Sequence, residues 1–359
     1  MKKLILCVSF GFLVLFFLCG FTCEKDELVI GEYNVDYSGK EWIEMSLQER
    51  IDAVSLPADY IEDLSTEDLA TWALEYPFLS DVYLFDSPDR AIAYFKRTSL
   101  LFDSMLNRND VHEVLLDRLA SRYESDDESS VKKKFLLYYF YDIKDELSSE
   151  EKERLYDILK EEESDNYLVY TLIDYTKDHE NVNSKDNTRY EGFVSSNQVF
   201  QYFNGAYYIA GSYWKYGVSA TCYNYSYNDY SSSEVQSVNS SIQLSHPNWV
   251  FYSDATKKYN CHSYVWINSS YSNTYWLPSP DNYIATSLFN HVGSLCGAYV
   301  GDRITISDST GTTHSVLVIG SGSNSSSINT KSKLGSAGVY GAPLNEIMII
   351  YGNTYDVYN

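Results

Sequence analysis

The sequence predicts an α+β protein in which an all-helical N-terminal domain precedes a domain of short strands. Three observations carry that expectation. Charge density steps down along the chain: residues 1–190 hold 41 acidic and 21 basic side chains, net −20, and residues 191–359 hold nine and six, net −3. Apolar residues recur at helical spacing in the first half and as short aliphatic runs between glycine turns in the second. The 35 tyrosines concentrate with Ser and Asn in the second half, a mixture suited to pleated strands. A length of 359 residues accommodates two domains. The step falls in the polar stretch Lys177 to Asn187, which has no apolar periodicity beyond Val182. The expected division is a leader over 1–22, a helical domain over 23–180, a linker over 181–195 and the α+β domain over 196–359.

The net charge of −23 makes the chain a poor partner for nucleic acid, where binding rests on neutralising phosphates. It is equally unsuited to peripheral binding of anionic lipid. Lys2 and Lys3 precede an apolar run over residues 4–18, broken only by Ser9 and Gly11, and charge resumes at Glu24. That pattern is an export signal; a single membrane anchor is the other reading of the same run. Cys23 follows Gly20-Phe21-Thr22 and precedes Glu24-Lys25-Asp26-Glu27. The site resembles the cleavage and lipidation site of bacterial lipoproteins, although Gly20 stands where those carry an aliphatic residue. The resemblance implies that Cys23 becomes a lipidated N-terminus and that the protein is held at the membrane in the cell envelope, with plain secretion as the alternative. Losing residues 1–22 removes two lysines and no acids, which takes the net charge from −23 to −25.

In the helical half, Ser65 with Asp68 and Ser148 with Glu151 resemble capping boxes. Ser87-Pro88 places an N-cap before a proline at the first helical position. Behind it Ala91, Tyr94, Phe95, Leu100, Leu101 and Met105 keep helical spacing, and Asp110 is expected to cap the helix carrying Val111, Leu115 and Leu119. Carboxylates scatter over solvated faces without a cluster, so this half reads as a partner or spacer module. In the second half, Ser231 and Glu234 start a helix, and another begins at Cys261. Strands are expected at Arg303–Ser307, His314–Ile319, Ser327–Lys331 and Glu346–Tyr351, some of them separated by Gly301-Asp302, Gly311 and Gly320-Ser321-Gly322.

A thiol nucleophile needs a lowered pKa, which the unpaired N–H groups at a helix start supply. Cys261 sits at such a start, and beside a His314 imidazolium that also favours the anion it is expected largely as thiolate near neutral pH. His314 opens an aliphatic strand after a glycine turn, where it can face a cleft as the base, and the next strand can present a third group to orient it. The plainer alternative for Cys261 is a small buried hydrophobe or half of a disulfide, and for His314 a histidine at the edge of the core capping the turn. His262 follows Cys261 at about 100° around a helix and is expected to pack nearby instead.

Together these residues resemble the papain-like cell-wall hydrolases, the NlpC-type endopeptidases and CHAP-type amidases. The matching pieces are Tyr259-Asn260-Cys261-His262-Ser263-Tyr264, Val300-Gly301-Asp302-Arg303, His314-Ser315-Val316 and Ser332-Lys333-Leu334-Gly335, within residues 250–350. More narrowly, the chain resembles an exported bacterial subgroup with a helical N-terminal part and the string Tyr-Asn-Cys-His-Ser-Tyr. The resemblance implies a nucleophile helix packed on a small antiparallel sheet, Cys261 as nucleophile and His314 as base. The third position falls near Asn329 to Ser332, with Ser332 taken first and Asn329 as its alternative. Tyr259, Asn260 and Trp266 are candidate substrate contacts. Two positions depart from the pattern: Leu334 stands where relatives carry Trp, and Gly341-Ala342 where they carry a His.

Cys222 and Cys296 can form a disulfide or stand as isolated thiols. Cys261, His262, His291 and Cys296 have no metal-ligand spacing, so no metal and no cofactor is expected. Tyr264, Trp266, Tyr271, Tyr275 and Trp276 can line a groove for glycan or peptide stems, but core and rim packing is favoured. The expected function is an exported cysteine hydrolase, a peptidase or amidase, acting on peptidoglycan stem peptides or other envelope peptides. The alternative is a surface-displayed binding lipoprotein on a catalytically degenerate scaffold.

Overall fold

The computed structural model describes residues 30–121 (Asn34 and Ser38 excepted), 127–160, 169, 172–173, 176, 200–203, 206–215, 218–227, 229–285 and 289–359. The leader over 1–22, Cys23 and the linker over 181–195 lie outside the described residues. The protein is α+β: a helical N-terminal region, then antiparallel sheet with helices.

The helices of the first region are α1 Lys40–Glu44, α2 Leu47–Ala53, α3 Ala58–Asp63, α4 Thr66–Leu74, α5 Pro88–Thr98, α6 Leu100–Leu106, α7 Val111–Ala120, α8 Asp127–Asp142 and α9 Ser149–Lys160. A 3-10 turn, Leu79–Leu84, joins α4 to α5. Two of the caps the sequence signals in this region are satisfied locally. Ser65 Oγ accepts from the Asp68 N–H at 3.1 Å. Ser148 and Glu151 cap each other reciprocally. Two expectations fail. Ser87 makes no cap bond and pairs with Asp89, leaving Pro88 to start α5. Asp110 accepts from Thr66 Oγ1 at 2.6 Å, so its carboxylate ties α7 to α4 rather than capping α7. The single apolar period through Met105 also breaks at Ser99, which is extended (φ −141°, ψ 119°). The break turns both halves inward, and the Phe95 and Phe102 rings meet at 4.8 Å.

Further along lie β1 Phe200–Phe203, β2 Ala206–Lys215, β3 Val218–Tyr227, β4 Val250–Ser253, β5 Tyr275–Trp276, β6 Arg303–Asp308, β7 Gly311–Gly320, β8 Asn329–Lys333, β9 Val339–Pro343 and β10 Thr354–Tyr358. Helices here are α10 Ser232–Ser245, α11 Asp281–Ile284 and α12 Leu344–Tyr351. The larger sheet is antiparallel in the order β10-β6-β7-β8-β9-β4, and the smaller runs β1-β2-β3-β5. Ser231 and Glu234 cap α10 reciprocally. The strand expected over Glu346–Tyr351 is a helix. Its run of Ile and Met favours a strand by composition, but Leu344, Ile347, Ile350 and Tyr351 bury one helical face, and packing overrides propensity.

Helical region and sheet share one apolar core, in which Phe78, Leu84 and Phe95 join Ile304, Val316 and Ile347. A buried polar chain crosses the same boundary. Asp81 accepts from Tyr94 Oη at 2.6 Å and pairs with His246 Nε2 at 2.7 Å. His246 stacks on Trp249, whose Nε1 donates to Glu346 at 2.7 Å. Glu346 in turn faces Arg50 of α2 at 3.8 Å. Five separate segments are thereby fixed to one another.

Candidate active site

Cys261 opens a short helical segment that continues as a π-helical turn over Ser263–Ile267. Asn260 supplies its cap. Its Oδ1 accepts from the Ser263 N–H at 3.0 Å and from the Leu277 N–H at 3.2 Å, while its Nδ2 donates to the Leu277 carbonyl at 2.8 Å. The segment packs on the larger sheet through Ser315. The Ser315 hydroxyl accepts from Trp266 Nε1 at 3.0 Å and lies 2.8 Å from His262 Nδ1. A neutral His262 accepts there, and burial holds it neutral, with its pKa down to about 3. His262 therefore packs as its place on the helix suggested.

Successive strand residues point to opposite faces. Ser315 faces the Cys261 segment, so His314 faces α12, where its ring stacks on Tyr351 at 3.8 Å and 4°. Leu317 pairs with Lys331, which sets Ser332 opposite Val316 on the His314 face. His314 Nε2 and Ser332 Oγ are 3.0 Å apart. Asn329, the alternative third residue, is exposed at the far end of β8. His314 is the fourth residue of its strand rather than the first, because the Gly311 turn is itself paired with Asp308. It is 1% exposed, buried rather than turned to solvent.

Cys261 lies against the backbone next to His314: the N–H groups of Ser315 and His262 both favour its anion. No hydrogen bond joins Cys261 to His314 among the described residues. The thiol is 4% exposed, and the expected thiolate is overturned. Burial, reinforced by the Asp86 carboxylate, pushes the thiol up to about 12 and outweighs the two N–H groups. Burial likewise drives His314 well below the usual imidazole range. The resting pair is thus a neutral thiol and a neutral imidazole.

Four neighbours were missed in the sequence. Lys333 is buried, and burial lowers it to about 7; its Nζ donates to the Gly335 carbonyl at 2.6 Å. Asp86 and Arg90 come from the helical region, whose sequence shows no site, and Tyr351 from a segment read as strand. Only Lys333 stood inside a motif already singled out. Tyr259, Asn260 and Trp266 are buried, and the polar bonds of Asn260 and Trp266 are internal, so they scaffold the nucleophile segment in this conformation. Tyr264 and Trp276 are also buried, while exposed Tyr271 accepts from Lys331 Nζ at 2.7 Å. Both departures have packing reasons. Leu334 is fully buried, and a Cβ at Gly341 would stand 2.9 Å from the Tyr252 ring.

Cys222, Cys261 and Cys296 are all free thiols, so the Cys222–Cys296 disulfide is not formed. No group of three or more His, Cys, Asp or Glu suited to a metal occurs among the described residues, and no helix among them is long and apolar enough to cross a membrane. A cleft of about 530 Å³ lies between Arg97, Asp308 and Met348, and none of the candidate residues lines it. Compared with protein-family models, curated proteins and solved structures, the chain matches none.

Proposed function

We propose that the protein is an exported cysteine hydrolase with a papain-like arrangement, cleaving amide bonds in peptidoglycan stem peptides or other envelope peptides. The observation that carries this reading is the His314–Ser332 contact at 3.0 Å beside a cysteine at a helical start. With Nε2 donating to Ser332, the lone pair of His314 sits on Nδ1, the tautomer a base requires. Cys261 Sγ attacks the carbonyl carbon, and its proton passes to Nδ1. The Cys261 N–H faces the oxyanion. Collapse of the tetrahedral adduct expels the amine, which takes the proton from His314. Water then hydrolyses the thioester, releasing the acid and restoring the thiol. A lipidated Cys23 would hold this chemistry at the membrane surface.

Burial of Cys261 and its high pKa favour a second reading, a binding lipoprotein on a degenerate papain-like scaffold. Incubating purified envelope fragments with the wild-type protein and with Cys261→Ala, then weighing the products by mass spectrometry, separates the two. New fragments with free amine and carboxyl ends, seen only with the wild type, support the hydrolase. Identical spectra leave the binding reading.

A further inference from the structure

We infer that the stretch Tyr83–Arg90 of the helical region is a cover that closes the candidate site, and that Cys261 reacts only when this stretch lifts. The inference rests on Cys261 being the nucleophile for its consequence, though not for its geometry. The stretch crosses from the 3-10 turn into α5 and is fastened at its ends. The Tyr83 carbonyl accepts from the Ser336 N–H at 2.9 Å and the Ala337 N–H at 3.1 Å. The Leu84 carbonyl accepts from Tyr351 Oη, on the ring stacked against His314. Arg90 Nη1 donates to the Thr313 carbonyl at 3.4 Å, one residue before His314.

The approach is close enough to specify a glycine. A Cβ at Gly335 would stand 2.3 Å from the Leu84 carbonyl carbon and 2.5 Å from the Phe85 nitrogen. Between the fastenings, Phe85 packs its ring 5.5 Å from Tyr351, and the Asp86 carboxylate is near enough to raise the pKa of both the Cys261 thiol and the Lys333 amine electrostatically. Asp86, Ser87 and Pro88 are themselves only half-buried. Within the stretch only residues 85–87 belong to no helix or strand, and a short irregular segment of this kind opens locally at less cost than the helices on either side. Lifting it would also remove the Asp86 charge and the desolvation that keep the thiol protonated. On this account the helical region is more than a spacer: it sets when the site works.

The test is the alkylation rate of each cysteine in the full-length protein with iodoacetamide at fixed pH, read peptide by peptide, with exposed Cys296 as internal reference. In the wild type Cys261 should label at least about a hundredfold more slowly than Cys296. Phe85→Ala, and independently Arg90→Ala, should each raise the Cys261 rate at least about tenfold, with the Cys296 rate and circular dichroism unchanged. Phe85 is buried and its truncation endangers folding; half-exposed Arg90 gives a variant without that risk. Equal rates for Cys261 and Cys296 in the wild type would overturn the cover. So would a Cys261 rate that stays at the wild-type value in folded Arg90→Ala. Faster labelling in the variants without any cleavage of envelope fragments would keep the cover and sink the hydrolase reading.

Discussion

Taking the protein from pH 7.5 to pH 5.0 should cost it about 2 kcal/mol of stability through His262 alone. The native imidazole is buried against Ser315 and protonates only at about pH 3, against 6.5 for a free side chain. Between those values the unfolded chain binds a proton that the native chain refuses. Stability from this group is therefore complete above about pH 6.5 and declines by about 1.4 kcal/mol per unit as the pH falls toward 3. At pH 5.0 the free histidine is protonated in about 97% of unfolded chains, which corresponds to the 2 kcal/mol given above. His314 shifts in the same direction and adds to the loss. Asp86 and Asp142, whose carboxyls burial raises, work the other way. The measurement is therefore a difference: urea unfolding of wild type and His262→Asn at both pH values. An asparagine amide can still meet the Ser315 hydroxyl but has no proton to gain. The wild type should lose about 2 kcal/mol more than the variant on acidification. Parallel losses would show that His262 is not buried neutral, and the account of the Cys261 segment would go with it.

Asp81→Ala leaves Tyr94 Oη and His246 Nε2 without their shared buried acceptor and should cost about 3–5 kcal/mol in denaturant unfolding; a loss under 1 would refute the locking role. Gly335→Ala meets the Leu84 backbone from a left-handed position (φ 42°) and should lower stability by roughly 1–3 kcal/mol, seen as a reduced Tm. Ser332→Ala should reduce kcat on an envelope peptide at least about tenfold while Ser332→Thr keeps most of it, because only the hydroxyl facing His314 matters; equal kcat in all three removes Ser332 from the site. Labelling of cells with a lipid analogue should mark the wild type and not Cys23→Ala, and equal labelling of both removes the lipidation site.

The sequence by itself determined the class of the fold and most of its elements, since these depend on local chemistry. Ser65, Ser148 and Ser231 cap their helices with partners three residues away, and a contact of that range is written in the chain. The strands carrying Arg303 and His314 are bounded by turns that sequence displays, and the helical start at Cys261 is marked by the apolar run behind it. Tertiary structure decided the rest. The run Leu344–Tyr351 is helix because of what it packs against. Asp110 bonds Thr66, 44 positions earlier, and so cannot cap its own helix. Above all, the protonation of Cys261 was beyond reach. The dipole of a helix start is a local property and predicts a thiolate; burial is a property of the whole molecule and reverses it. Asp86, whose carboxylate adds to the burial that keeps the thiol protonated, lies 175 positions away in the half of the chain that shows no site of its own. A desolvation energy depends on everything that excludes water, and only the assembled fold says what that is.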